Sequence, residues 1–217
     1  MRIGWKKTVG AKIGPHPGIV AAKIEARKLA RVRRAVLHAG ANATGLGEAY
    51  RKAADHFFAK FSPKTGDVVA AYLPVGHEFD IRPILKRLTA WGVVSALPVV
   101  VAEKAPLQFR VWRPGEPLES GAHNIMAPTT SANEVKPDIV LVPLIAFDMT
   151  GSRLGQGGGY YDRTISQLRQ EKASVKIVGL AFDGQMMDAV PHDVLDARLD
   201  AVVTETGCYS FTSTGGA

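Results

Sequence analysis

The chain has 217 residues, of which 46% are hydrophobic and 22% charged, as in an ordinary globular protein long enough to bury a full core. No apolar run approaches the roughly 18 to 20 residues that span a membrane, and no signal peptide opens the chain, so we expect a soluble, cytoplasmic protein. The single cysteine, Cys208, excludes an intrachain disulfide. We expect one domain and a monomer.

The net charge of +7 is concentrated at one end. Residues 1–34 hold ten Lys and Arg against one acid, Glu25, a local +9 that leaves −2 on the rest of the chain. Aromatic residues, at 7%, do not interleave with the cations as they do in nucleic-acid binders. We therefore expect neither a nucleic acid nor a membrane as partner.

The first half of the chain changes from helical to strand periodicity. Residues 1–18, rich in Gly, Lys and Pro, predict a flexible arm before a domain over residues 19–210. The spacing of Ala22, Ala26, Leu29, Val32 and Val36 predicts a helix over residues 19–37 with these side chains inward. A second helix is predicted over residues 47–61, a buried strand over 67–73, a helix over 83–91 and a strand region over 93–101, where Pro98 indicates an edge or an early end.

The second half alternates strands with helices. Residues 107–112 predict an antiparallel strand, residues 113–136 a long surface excursion, and residues 139–142 the most apolar strand. A helix over residues 160–170 and strands over 176–182 and 201–204 follow, and residues 211–217 are expected to fray. This order predicts a single-domain α/β/α sandwich with a mostly parallel, Rossmann-like open sheet.

Residues 143–163, PLIAFDMTGSRLGQGGGYYDR, join a strand to a helix through a glycine-rich loop. Glycines at such a loop let backbone N–H groups approach an anion, and the helix start favours negative charge, so the segment predicts a phosphate cradle. Arg153 offers a planar fork for phosphate, Asp162 a hard oxygen ligand for the magnesium that accompanies ATP, and Tyr160 and Tyr161 flat surfaces for a ring. The pattern lacks the Gly-Lys-Ser/Thr of a P-loop and the third glycine of a dinucleotide fingerprint.

Arg153 to Asp162, RLGQGGGYYD, resembles the signature of the 5-formyltetrahydrofolate cyclo-ligase family, also called methenyltetrahydrofolate synthetases. The likeness extends from about Lys23 to Thr206. YLPVGHEFD, residues 72–80, resembles the family's folate-facing stretch, and DARLDAVVTE, residues 196–205, resembles its closing motif. The arm before Lys23 is longer than in a typical member.

The resemblance implies the site residues. Lys23, Arg153 and Tyr160 are expected to be catalytic, and Leu73 and Glu78 to bind folate. The implied ATP contacts are Lys23, Arg27, Arg153, Leu154, Gly155, Gln156, Gly157, Gly158, Gly159, Tyr160 and Tyr161; Arg27, Gln156, Gly157, Gly158, Gly159 and Tyr160 are also implied to contact folate. Lys23 and Arg27 lie one helical turn apart and could reach one polyphosphate, although a solvated cationic face is a plainer interpretation.

The resemblance also implies two metal carboxylates. Asp162 is one, unless it merely interacts with the helix dipole. Asp196 is the second by its distance from the closing strand, and Asp193 and Asp200 are alternatives. The assignment stays open because His192-Asp193 imitates the family's His-Asp pair but lies three residues too early. Glu78 could equally be an ordinary surface glutamate.

The implied reaction is the ATP- and Mg²⁺-dependent cyclisation of 5-formyltetrahydrofolate to 5,10-methenyltetrahydrofolate, with release of ADP and phosphate. Three alternatives stay open on the sequence. They are a related nucleotide-binding protein without folate activity, for example in thiamine metabolism, a nucleic-acid-binding module built on residues 1–34, and a Rossmann-like oxidoreductase, which Tyr160 disfavours.

Overall fold

A computed structural model of the chain describes residues 17–43, 47–122 and 125–211. The predicted arm lies outside these ranges except for Pro17 and Gly18, which form the first turn of a helix where proline is well tolerated. Most of the predicted fraying tail, residues 212–217, also lies outside them. Among the described residues, no helix has the length and apolarity to cross a membrane.

Within those ranges the chain forms four α-helices and eleven strands. The helices are α1 (Pro17–Ala43), α2 (Glu48–Phe61), α3 (Arg82–Ala90) and α4 (Tyr160–Glu171). The strands are β1 (Val68–Ala70), β2 (Val94–Val99), β3 (Gln108–Val111), β4 (Leu118–Ser120), β5 (Met126–Pro128), β6 (Ile139–Pro143), β7 (Ala146–Phe147), β8 (Arg153–Leu154), β9 (Lys176–Leu180), β10 (Ala201–Val203) and β11 (Cys208–Ser210).

Seven strands form one sheet in the order β11-β10-β9-β6-β1-β2-β3. The five inner strands are mutually parallel, and β3 and β11 are antiparallel edges. The mostly parallel open sheet and the antiparallel strand near residue 109 are thus confirmed. Pro98 pairs with Phe109 of β3, beyond the three residues over which β2 pairs with β1, so it marks an early end of the parallel pairing.

Successive residues of the inner strands point to opposite faces, as the pleat requires. Val69 packs with Phe57 of α2 and Leu88 of α3, whereas the next residue, Ala70, packs with Ile165 of α4. Helices therefore cover both faces, and the predicted α/β/α sandwich is confirmed.

The predicted apolar stripe of α1 does not face the core, except at Ala26. Leu29, Val32 and Val36 are 75%, 67% and 67% exposed, while Ala26 and Ala30 are buried against the β7–β8 hairpin. The helix lies across the carboxyl edge of the sheet. Its side chains Lys23 and Arg27 point inward, where they donate hydrogen bonds to carboxylates and to a backbone carbonyl. Specific polar contacts thus outweigh the hydrophobic periodicity on which the prediction rested.

Two hairpins were missed by the sequence analysis. β4 and β5 pair within the predicted surface excursion, and Ala127 of β5 is buried. β7 and β8 pair between β6 and α4, around a turn in which Oδ1 of Asp148 accepts the N–H groups of Thr150 and Ser152 at 2.8 and 3.2 Å. This second hairpin carries Arg153 to the edge of the sheet.

Candidate active site

A cavity of about 720 Å³ opens at the carboxyl edge of the sheet. In the sheet, β2 lies on one side of β1 and β6 lies on the other side. The strand order therefore reverses at β1. Ligands of open α/β sheets bind at such a point. Residues after β1, within β2 and at the end of β6 line the cavity, among them Tyr72, Leu73, Leu97, Pro98 and Pro143.

The glycine-rich loop closes one side of this cavity. It follows β8 and ends at Gly159, which caps α4 in the left-handed conformation with φ of 65°. Gly157 has φ of 110°, and a Cβ there would lie 3.5 Å from the Arg27 guanidinium carbon. Both positions need glycine, because positive φ strains other residues. The cavity is lined by all the predicted loop residues, namely Arg153, Leu154, Gly155, Gln156, Gly157, Gly158, Gly159, Tyr160, Tyr161 and Asp162.

Arg153 is held in place by two different elements. Its side chain is 4% exposed, and its Nη2 donates to Oδ1 of Asp162 at 2.6 Å. Its Nη1 donates to the carbonyl of Ala197, whose own N–H donates to the same Asp162 oxygen at 3.1 Å. Arg153 thereby ties the start of α4 to the loop that precedes β10.

Lys23 of α1 reaches that same loop. Its Nζ lies 2.7 Å from Oδ2 of Asp193 and 2.6 Å from Oδ2 of Asp196. Burial disfavours the ammonium charge, but the two carboxylates outweigh it and raise the pKa of Lys23, while its hydrogen bond lowers the pKa of Asp193. Asp193, the residue of the imitated His-Asp pair, therefore belongs to the site beside Asp196.

Asp200 lies elsewhere. Its carboxylate accepts the N–H of Ile177 at 2.7 Å and a hydrogen bond from Arg169 at 3.1 Å, joining β9, β10 and α4 below the sheet edge. The geometry brings Asp162, Asp193 and Asp196 to the cavity and leaves Asp200 a structural role.

Two further cations of α1, Arg27 and Arg31, bind the glycine loop itself. Nε of Arg27 donates to the Gly155 carbonyl at 2.9 Å, and Nη2 of Arg31 donates to Oε1 of Gln156 at 3.0 Å. The Gln156 side chain also acts to lower the pKa of Glu78, and both residues line the cavity. Sequence reasoning singled out Lys23 and Arg27 but missed Arg31, although the spacing of four residues along one helical face was a usable signal.

Glu78 lines the same cavity and lies beyond the turn after β1. It is 9% exposed, and its Oε2 accepts the Val75 N–H at 3.1 Å. Burial raises the pKa of Glu78, although the Val75 N–H, the charge of Arg34 and Gln156 act against the rise. The plainer interpretation, an ordinary surface glutamate, is wrong.

Apolar side chains form much of the cavity wall. Leu73 was predicted here, but the β4–β5 hairpin was not, and it contributes Ile125 and Met126, which are 43% and 46% exposed. No periodicity identified them, because the strands are only three residues long. Further apolar lining residues are Val20, Val75, Val100, Leu107 and Ala127.

A second cavity of about 690 Å³ lies on the other side of the acids. It shares Gly159, Asp162, Asp193 and Asp196 with the first and is otherwise lined mostly by polar residues of α4, namely Arg163, Ser166, Gln167 and Gln170. The carboxylates therefore lie where two cavities meet, one lined largely by apolar side chains and the other mostly by polar residues of α4.

The residues present fit a magnesium ion whose remaining ligands would come from the substrate. Within the described ranges no three His, Cys, Asp or Glu side chains form a ready metal cage. Mg²⁺ is ordinarily bound by one or two carboxylates together with phosphate oxygens and water, and it needs no such cage. Asp162 and Asp196, each fixed by a backbone N–H, present oxygens of the right type.

Fold and site together define a class of protein, an open α/β enzyme. Its glycine loop is contacted by cations and borders an apolar cavity, at the point where the strand order of the sheet reverses. The 5-formyltetrahydrofolate cyclo-ligase family model matches residues 20–205. The chain belongs to this family, and its membership confirms the predicted enzyme class, a ligase of folate one-carbon metabolism.

Individual relatives agree. The chain is 36% identical over 148 residues to the 5-formyltetrahydrofolate cyclo-ligase of Escherichia coli, covering 66% of this chain and 80% of that protein. It is 29% identical over 180 residues to that of Haemophilus influenzae, covering 80% and 95%. The NMR structure of Aquifex aeolicus 5,10-methenyltetrahydrofolate synthetase superposes with a TM-score of 0.70 at 26% identity, covering 90% and 95%.

Proposed function

We propose that this enzyme converts 5-formyltetrahydrofolate to 5,10-methenyltetrahydrofolate with ATP and Mg²⁺, and that the residues described above carry the reaction. The observation that supports this most directly is the meeting of two cavities at the fixed acids, with the buried Glu78 in the wall of the apolar one. Two dissimilar substrates, a planar folate and a polyphosphate, could thus approach one another at the glycine loop.

In the proposed mechanism the formyl oxygen of the folate attacks the γ-phosphorus of ATP, and ADP leaves. The folate's N10 then closes on the activated carbon, and phosphate leaves. The protein has to align a weak nucleophile with phosphorus and stabilise charge on the transferring group. Arg153, Lys23 and the loop N–H groups are placed to do so, since they converge on one side of the cavity.

Magnesium, held by Asp162 and Asp196, would neutralise charge on the phosphate oxygens when bound. The protein's own contribution there is to keep both carboxylates oriented through the N–H groups of Ala197 and Asp193. Lys23, which contacts Asp193 and Asp196 directly, is then free to turn its ammonium toward a phosphate. Tyr160 and Gln156 line the cavity at the glycine loop, where the two ligands are proposed to meet.

Glu78 is proposed to receive donor groups of the pterin ring, and Leu73, Ile125 and Met126 to contact its faces. A carboxylate at the end of an apolar cavity is the kind of group that orients a flat ligand with N–H donors. A monomeric state and a cytoplasmic location stay predictions, as does the absence of a nucleic-acid partner.

The test is to mix the protein with MgATP and 5-formyltetrahydrofolate and to follow the absorbance of the methenyl product together with ADP and phosphate. Product, ADP and phosphate should form in equal amounts. ATP binding without any folate product would instead support a relative that kept the nucleotide site alone.

A further inference from the structure

Arg163, in the first turn of α4, is a cation that the reaction proposed above does not use. Its Nη2 donates to the Gly158 carbonyl at 2.9 Å. Its guanidinium carbon lies over the Tyr160 ring, 5.1 Å from the ring centroid. A Cβ at Gly159 would lie 2.8 Å from Nη1 of Arg163, so the guanidinium fills the space beside that glycine. Arg163 therefore lies against three successive residues at the point where the glycine loop becomes a helix.

A gain in helix stability does not account for this arrangement. The groups left without partners at the start of a helix are N–H donors, and a guanidinium carries donors only, so Arg163 cannot cap α4. The helix dipole also disfavours a positive charge in the first turn. Long helical side chains lean toward the N-terminus of their helix, which brings the guanidinium of Arg163 onto the loop. Its contacts therefore support the loop rather than the helix.

The contact between Arg163 and Tyr160 lies at the partition between the two cavities. Arg163 lines the second, polar cavity, whereas Tyr160 lines the apolar one. A Cβ at Gly158 would lie 3.0 Å from Cδ2 of Tyr160, so the ring also packs against the loop. A guanidinium over an aromatic face is attracted to it electrostatically. The position of the Tyr160 ring is thus limited by Gly158 and by a cation that reaches it from the neighbouring cavity.

We infer that Arg163 is a positioning residue for Tyr160, whose guanidinium holds the aromatic ring and the Gly158 carbonyl in one geometry at the place where the two substrates are proposed to meet. A planar group with five donors can bind the carbonyl and face the ring at the same time. The inference rests on the proposed function, in which Tyr160 takes part.

The experiment measures kcat and the KM for each substrate in a set of variants. Arg163→Met removes the charge and the donors but keeps an unbranched stem, and Arg163→Lys keeps the charge. Arg163→Gln replaces Arg163→Met if that variant does not fold. Arg169→Met is the matched control, because Arg169 lies on the same helix but pairs with the structural Asp200 at 3.1 Å. Thermal unfolding of every variant is measured alongside.

The role of the ring is tested by combining Arg163→Met with two substitutions of Tyr160. Tyr160→Phe keeps the ring under the guanidinium, whereas Tyr160→Leu removes it. Amide hydrogen exchange from Gly158 to Tyr160 is measured in the protein without substrates, which gives a result that does not depend on turnover.

Arg163→Met should lower kcat by roughly tenfold or more, the factor expected for one charge-assisted hydrogen bond, with smaller changes in both KM values. Arg163→Lys should recover part of the loss, and Arg169→Met should keep the kcat of the parent. The loss should persist in the Tyr160→Phe background and should largely disappear in the Tyr160→Leu background, since the two side chains act as a unit. Exchange of the Gly158 to Tyr160 amides should accelerate in Arg163→Met.

Equal losses in the Tyr160→Phe and Tyr160→Leu backgrounds would overturn the inference, because Arg163 would then act independently of the ring. A higher KM for ATP at unchanged kcat would also overturn it and make Arg163 a direct phosphate ligand. Unchanged amide exchange in Arg163→Met would do the same. Failure of the parent enzyme to form the methenyl product would instead defeat the proposed function, and the exchange result would still decide whether Arg163 holds the loop.

Discussion

Nζ of Lys23 lies 2.6 Å from Oδ2 of Asp196, joining the first helix of the domain to the loop before β10. The same ammonium binds Asp193, so one side chain closes the site between elements 170 or more residues apart. The glycine loop lies between these two elements, and it is bound to α1 by Arg27 as well.

Lys23→Met should therefore release the loop before β10 and also weaken the binding of ATP. Charge-assisted hydrogen bonds contribute about 1.5 to 3 kcal/mol each, so we expect ATP affinity to fall by roughly tenfold to a hundredfold. Amide hydrogen exchange around Asp193 and Asp196 should accelerate without ligand. Lys28→Met is the control, since among the described residues Lys28 pairs only with Glu25, at the exposed face of α1. Unchanged exchange in Lys23→Met would contradict the proposed closure.

Arg153→Lys tests the need for a planar fork. The guanidinium binds both Asp162 and the Ala197 carbonyl, a geometry that an ammonium on a flexible stem does not reproduce. We expect kcat to fall by roughly a hundredfold, as when one preorganised donor is lost. Thermal unfolding should be measured alongside, because a fall in kcat that merely follows loss of folded protein would count against a role in catalysis.

Folate binding should depend on pH through Glu78. Burial raises the pKa of this carboxyl above its ordinary 4.5, so its charged fraction grows as pH rises through the raised value. The KM for 5-formyltetrahydrofolate should accordingly decrease with rising pH on the acid side, while the KM for ATP does not follow it. Glu78→Gln should flatten the folate profile and raise its KM. A profile unchanged by that substitution would show that another group titrates.

Met126→Ala tests the wall formed by the β4–β5 hairpin. Each methylene withdrawn from contact with the ligand costs about 0.8 kcal/mol, which predicts a roughly threefold to tenfold increase in folate KM. ATP KM should stay constant. Val101→Ala is a suitable control, because Val101 is 48% exposed and does not line the cavity. Equal effects on both substrates would place the hairpin outside the folate contact.

Gly179→Ala should destabilise the fold. A Cβ at this position of β9 would lie 2.6 Å from Leu144, 2.8 Å from Leu199 and 3.0 Å from Val202. Overpacking of a filled core costs about 1 to 3 kcal/mol. Gly40→Ala on the exposed side of α1 meets no atom within 4 Å and should gain up to about 1 kcal/mol from helix propensity. Denaturant unfolding of both variants measures the contrast.

The inner sheet and the position of the glycine-rich loop at the cavity could be predicted because their signals are local. Ile139 to Val142 is apolar throughout, as a strand covered on both faces must be, and the run from Arg153 to Asp162 combines glycines with charged groups at one strand-to-helix turn. The strand side chains were expected in the core and the loop residues at a cavity, and the structure has them there.

The orientation of α1 could not be predicted in the same way. Leu29, Val32 and Val36 have ideal spacing for a buried stripe, yet they are exposed. The orientation of the helix matches its hydrogen bonds to Asp193, Asp196 and Gly155, which are distant in sequence. Likewise, Met126 carries no pattern of its own, since its position depends on pairing with Ser120. Contacts of this kind are decided by tertiary structure, and a single sequence does not display them.

The antiparallel strands at both ends of the sheet have a consequence for colloidal behaviour. β3 is covered on its outer side, where Val111 and Val135 exchange backbone hydrogen bonds with Asn133 and Phe109, and β11 is only three residues long. Within the described residues, the two edges of the seven-stranded sheet therefore present little unpaired backbone, which limits the edge-to-edge addition of strands that begins aggregation. The concentrated enzyme should accordingly resist fibril formation even though its interior is rich in β-branched residues.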